Sequence, residues 1–173
     1  MFNNIKEDLE AMNPKKNFKT YLKSSFEHTF HVVLLYRFGN FVYLKIPYLG
    51  NIIRFIVEYL IRILFGSDIS CKAKIGKGFT IVHGHDIVIG ANSVIGDYCK
   101  IFNGVTLGNK NTEGFDISQP ILENNVVVST GAKILGGVTI GTNSIVGANS
   151  VVLKDIPANS IAVGAPAKVI KNR

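Results

Sequence analysis

An aliphatic residue returns every six positions through most of the second half of the chain. The series runs Ile69, Ile75, Ile81, then Ile89, Ile95, Ile101 and Leu107, then Leu122, Val128, Ile134, Ile140, Val146 and Val152. The fifth position of each unit is small or compact: Ala73, Ser93, Cys99, Val105, Val126, Ala132, Val138, Ser144 and Ser150. That suits a second inward-facing side chain near a tight corner. The fourth position is Gly or Asn at Gly78, Gly84, Asn92, Gly104, Asn125, Gly131, Gly137, Asn143 and Asn149. These residue types enter left-handed backbone space at least cost. A left-handed corner after each short strand turns a chain repeatedly without hairpins, and hexapeptide repetition predicts a parallel β-helix. A sandwich of alternating strands would not keep so strict a count.

The repeats occupy residues 67–153, followed by a C-terminal segment, 154–173. Residues 1–66 have a different texture. The run IKEDLEAM, Ile5 to Met12, is charged and helix-prone and is broken by Asn13-Pro14. Two further apolar stretches, His31 to Tyr43 and Ile46 to Phe65, are predicted helices. The last approaches a membrane-spanning length. However, Arg54, Glu58 and Arg62 fall at i, i+4 and i+8 on one face, where Glu58 can pair with both arginines. Lipid would strand that stripe. An amphipathic helix is expected, packed between subunits or lying on a membrane surface.

Composition narrows the function classes. With 47% hydrophobic residues, the 173-residue chain is too apolar for disorder. Its net charge of +7 is spread along the chain, without aromatic residues interleaved in a basic patch, so nucleic acid is not an expected partner. Anionic small molecules or a membrane surface fit better. Cys71 and Cys99 form neither a disulfide framework nor a metal spacing, and Cys99 reads as a core residue in a reducing cytoplasm. No basic flank with a cleavage site opens the chain, so no secretory signal is expected.

The six-residue beat slips by two between Ile81 and Ile89, at VHGHDIV. The wall must bulge there, and inserted residues in a regular scaffold are natural places for function. His83 and His85 are two of the four histidines in the chain and lie in this slip. A histidine suits general-base work because its unperturbed pKa is about 6.5. A second interruption, Asn109 to Pro120, is too long and polar to stay in the wall and predicts an extruded loop, 109–120.

The stretch Asp68 to His83 with the following GHDIVIG resembles the catalytic segment of the serine acetyltransferase group of hexapeptide acyltransferases. The resemblance continues through GVTLG, GAKILGGVTIG, VVLKDIP and VGAPAKVI, and touches the N-terminal IKEDL. It implies a left-handed parallel β-helix, a homotrimer and an acetyl-CoA site, without metal, in each groove between subunits. It also implies a base at His83 oriented by Asp68, fifteen residues earlier. The chemistry is consistent: a hydroxyl needs a base within hydrogen-bond reach, and a carboxylate on the far ring nitrogen fixes the tautomer. No Ser or Cys nucleophile stands beside His83, which predicts direct transfer. By family position, acetyl-CoA would meet Thr130, Ala148, Lys154, Lys168 and Lys171.

The chain departs from that group at two acceptor positions. Val82 stands where the family has an aspartate, and Ser118-Gln119-Pro120 replaces an Arg-His-Pro segment. Tyr36-Arg37 in LLYRFGNF resembles capsular and exopolysaccharide acetyltransferases of the colanic acid type. The expectation is therefore a sugar hydroxyl as acceptor in polysaccharide biosynthesis, contacted by Val82, His85, Gln119 and Asp116, with serine as the alternative. A zinc hydratase on the same coil needs three histidines, and the repeats carry two. A cytoplasmic enzyme is expected. Pairing of trimers through the N-terminal helices and contact with the inner membrane face are left open.

Overall fold

The computed structural model describes residues 1–13, 17–110 and 117–172. Four helices, α1 (Phe2–Ala11), α2 (Phe18–Ser25), α3 (His28–Lys45) and α4 (Leu49–Phe65), precede a parallel β-helix. Helix α2 has no counterpart in the predicted elements. It begins on a capping box in which Asn17 accepts from the Thr20 N–H at 2.9 Å.

The coil has three faces. The first stacks β1 (Asp68–Ile69), β4 (Val88–Ile89), β7 (Thr106–Gly108), β10 (Lys133–Leu135) and β13 (Val151–Val152). The second stacks β2 (Lys74–Ile75), β5 (Val94–Ile95), β8 (Ile121–Leu122) and β11 (Thr139–Ile140). The third stacks β3 (Thr80–Val82), β6 (Lys100–Phe102), β9 (Val127–Val128), β12 (Ile145–Val146) and β14 (Ser160–Val163). A last strand, β15 (Lys168–Asn172), runs antiparallel outside β14. The coil continues beyond residue 153 through the bridge Ile140–Ile156 and β14.

The expected fold class is the one observed. The six-residue aliphatics point inward, and Ile89, Leu107, Ile134 and Ile140 are fully buried. Registers record the interruptions. Val88 pairs with Thr106, eighteen residues on and three hexapeptides later. Asp68 pairs with Val88 and Thr80 with Lys100, both twenty residues on, which is the two-residue slip. Val94 pairs with Ile121, twenty-seven residues on, because the second interruption leaves the wall.

The corners differ from expectation in an informative way. Gly78, Gly104, Asn125, Gly131, Asn143 and Asn149 have positive φ, but Gly84, Asn92 and Gly137 do not. At Asn92 the edge between the first and second faces turns with a Gly90–Ser93 hydrogen bond and without a positive φ, so this corner needs no left-handed conformation. Most left-handed corners belong to the other two edges, where Tyr98 and Asp86 adopt them despite their side chains, and Gly136, with φ +86°, is an exception on the edge between the first and second faces.

The helices close the open lower end of the coil. Tyr36 donates to the Ala73 carbonyl at 2.7 Å, Asn40 to Cys71 at 2.8 Å, and Arg37 to the carbonyls of Ile75 and Gly76. Arg37 also forks onto buried Asp8 at 2.9 and 3.0 Å, and Asp8 accepts from the Phe79 N–H. Burial pushes the Asp8 carboxyl up, opposed by Arg37. Tyr36-Arg37 is thus a docking device and carries no acceptor information.

Helix α4 differs in its charges. Arg54 pairs with Glu58 at 2.6 Å, but Arg62 reaches Asp68 at 2.8 Å and not Glu58. Glu58 instead accepts from the Cys71 N–H at 2.7 Å, so this stripe ties the helix to the first turn. Beside this stripe, Phe55, Tyr59, Ile63 and Leu64 are exposed. Among the described residues no helix is long and apolar enough to cross a membrane.

Candidate functional site

The slip forms the edge between the third and first faces of the first turn. Strand β3 ends at Val82, and five residues reach Val88 where three suffice one turn later between Phe102 and Thr106. The extra length is taken up at His83, whose φ is +56°, and at Asp86, also +56°. The His85 N–H donates back to the His83 carbonyl at 2.8 Å, which makes a tight local loop. Buried Ser67 fixes it: its hydroxyl donates to the Gly84 carbonyl at 3.4 Å and accepts from the Ile87 N–H at 3.2 Å. His83 is lifted from the wall and exposed, as are His85 and Asp86.

A cavity of about 470 Å³ opens beside His83. The start of α3, the end of α1 and the third face line it, with Val82, Thr80 and Lys100 on the coil side and Glu27 and His28 on the helix side. Thr29 fixes the approach, since its methyl would meet a Cβ on Gly84 at 3.4 Å.

Asp68 lies on the adjoining strand, and Asp86 N–H bonds to the Gly66 carbonyl at 2.9 Å, so the two segments adjoin. The structure does not join the Asp68 and His83 side chains by a hydrogen bond. Asp68 faces outward and is held by Arg62, because the last turn of α4 lies only a few residues before β1.

The same edge continues upward. Asn103, Thr130 and Ala148 occupy the equivalent corner place in successive turns, and Thr130 donates to Asn103 at 3.3 Å. At about 4.8 Å per turn, Thr130 and Ala148 stand roughly 10 and 14 Å from the His85 level. Thr130 and Ala148 therefore share an edge with His83 and His85. Lys168 pairs with Val163 near this edge, whereas Lys171 pairs with Ile161 at the far end of β14.

Gln119 and Lys154 sit on the edge between the first and second faces. Gln119 accepts from the Asn92 N–H at 2.8 Å and from Ser93 at 3.3 Å, so within one chain it braces a corner and does not face the His83 cavity. The root of the interruption is clamped between turns: a Cβ on Gly90 would meet Gln119 at 2.2 Å, and one on Gly137 would meet Ser118 at 2.8 Å. Close approach, and not a left-handed corner, explains Gly137. Asp116 lies outside the described residues.

The residues missed by sequence reasoning are Glu27, His28 and Lys100. They are distant from His83 in sequence, and only the docking of α3 brings the first two to it. The buried cysteines take no part. Burial, with the Glu58 carboxylate near, pushes Cys71 up to about 12, and burial pushes Cys99 up to about 11.

Residues 119–154 match the bacterial transferase hexapeptide (six repeats) family. A serine acetyltransferase from Helicobacter pylori strain J99 is 43% identical over 141 residues, covering 81% of this chain and 80% of that protein. One from Synechococcus elongatus is 40% identical over 82% of this chain, and here the chain spans 56% of the relative's length. The solved structure of a Brucella abortus serine acetyltransferase in complex with coenzyme A superposes with a TM-score of 0.89 at 26% identity, covering 99% of this chain and 68% of that one. The similarity runs to serine acetyltransferases and not to the colanic acid type. It overturns the expectation of a sugar acceptor and a place in polysaccharide biosynthesis, which had rested on Val82, Gln119 and Tyr36-Arg37.

Proposed function

Since the chain belongs to the serine acetyltransferase family of hexapeptide-repeat proteins, we propose that it moves the acetyl group of acetyl-CoA to the hydroxyl of serine. The observation that carries the reading is the exposed His83 on a braced two-residue bulge, opening on a cavity and continuous with an edge of small corner residues. His83 accepts the serine hydroxyl proton as the oxygen attacks the thioester carbonyl. The carbon–sulfur bond then breaks, the imidazolium returns the proton to the thiolate, and O-acetylserine and CoA leave. No acyl-enzyme is needed.

Asp68 orients the imidazole in this reading by exchanging Arg62 for His83. Both partners of that ion pair are at least half exposed, so little opposes the exchange. The pantetheine arm of acetyl-CoA lies along the edge past Thr130 and Ala148, where side chains are small, and Lys168 and Lys171 meet phosphates. Gln119 and Lys154, on the other edge, reach the same groove only from a neighbouring subunit. A cyclic trimer with unlike edges facing each other supports both placements.

The test is turnover of purified protein with acetyl-CoA and serine, followed by released thiol and by mass spectrometry of the product. O-acetylserine formation is expected. Thiol release with other hydroxyl acceptors and none with serine would overturn the acceptor.

A further inference from the structure

We infer that the cavity beside His83 is a clamp for a zwitterion, in which the Glu27 carboxylate takes the ammonium of the acceptor and Lys100 takes its carboxylate. The inference rests on the serine reading and deepens it. An acceptor with both charges needs one group of each sign within reach of the base, because leaving either charge unpaired on binding is costly. Val82, the coil residue next to His83, offers neither sign.

Among the described residues that line the cavity, Glu27 is the one carboxylate and Lys100 the one side chain with a permanent positive charge. Neither is committed elsewhere. Asp8, Glu58 and Asp68 are engaged by Arg37, Arg54 and Arg62. Glu123 is held by Thr142, and Asp97 by the Lys77 N–H. Glu27 makes no side-chain hydrogen bond or ion pair with a described residue, although it is half-buried. It stands at the N-cap of α3, yet its side chain does not cap the helix. Its carboxylate is therefore free for a ligand.

The two groups approach from different elements. Glu27 comes from the helix docked by Thr29 against Gly84, and Lys100 from β6, in register with Thr80 one turn below. His83 enters from the bulge. His28 also faces the cavity and would stand beside Glu27. This arrangement presents the acceptor hydroxyl to His83 while its charged end spans helix and coil. The two anchors hold groups that do not change in the reaction, so they bind the ground and transition states alike and act on KM.

Glu27→Gln and Lys100→Met test this with three acceptors: serine, ethanolamine, which lacks the carboxylate, and 3-hydroxypropanoate, which lacks the ammonium. Where an analogue turns over too slowly, it is measured as a competitive inhibitor against serine. Glu27→Gln is expected to raise the constant about tenfold for serine and ethanolamine and to leave 3-hydroxypropanoate within about twofold, with kcat on serine held. Lys100→Met is expected to raise it for serine and 3-hydroxypropanoate and spare ethanolamine. Equal effects on all three acceptors, or none, overturn the clamp while leaving serine acetylation standing. A wild-type protein that does not acetylate serine overturns both.

Discussion

Asp8→Ala should weaken the protein more than any surface change. Both side chains of the Asp8–Arg37 pair are almost fully buried, at 0% and 4% exposure. Alanine leaves the guanidinium with the carbonyls of Ile75 and Gly76 alone and orphans the Phe79 N–H. Breaking a buried pair from one side costs about 3–5 kcal/mol, and an orphaned donor about 1–3 kcal/mol. The two overlap, so about 4 kcal/mol is expected. With a urea slope of about 2 kcal/mol per molar, the midpoint falls by about 2 M. The assay is urea unfolding followed by far-ultraviolet circular dichroism at fixed protein concentration, because assembly adds to apparent stability. Arg37→Met in the same background should recover part of the loss, with a coupling of about 1–3 kcal/mol. A cost below about 1 kcal/mol would refute the claim that this pair locks the helices to the coil.

Two further outcomes follow from local geometry. Ser67→Ala removes the hydroxyl that ties the Gly84 carbonyl and the Ile87 N–H; it should cost about 1–3 kcal/mol and lower kcat by loosening His83, read by urea unfolding and thiol release together. Cys71 and Cys99, with thiols pushed up to about 12 and 11, carry almost no thiolate at pH 8. Iodoacetamide should therefore leave both unmodified in the folded protein and label both in urea, as counted by mass spectrometry; labelling of the native chain would contradict their burial.

The six-residue beat made the coil legible because each inward position repeats, and the register shift between Asp68 and Val88 shows that the two-residue slip was readable too. Corner conformation was less so. Asn92 and Gly137 match the residue pattern, but they lie on the edge between the first and second faces, where neither position takes a positive φ; Gly84 lies on a left-handed edge, but the two-residue slip moves the positive φ to His83 and Asp86. Gly137 is small because the root of the interruption lies against it. The role of Tyr36-Arg37 was illegible for a related reason: the carbonyls they satisfy lie more than thirty residues away, at Ala73, Ile75 and Gly76. Glu27 and His28 had no local signal, since their place beside His83 depends on how α3 docks.

Acetyl transfer to serine by general-base catalysis requires His83. With acetyl-CoA and serine, His83→Ala should lose at least about 10²–10⁴-fold in kcat while its dissociation constant for acetyl-CoA, measured by calorimetry, stays within about twofold of wild type. A variant that binds acetyl-CoA normally and turns over within about tenfold of wild type would contradict the assignment of the base.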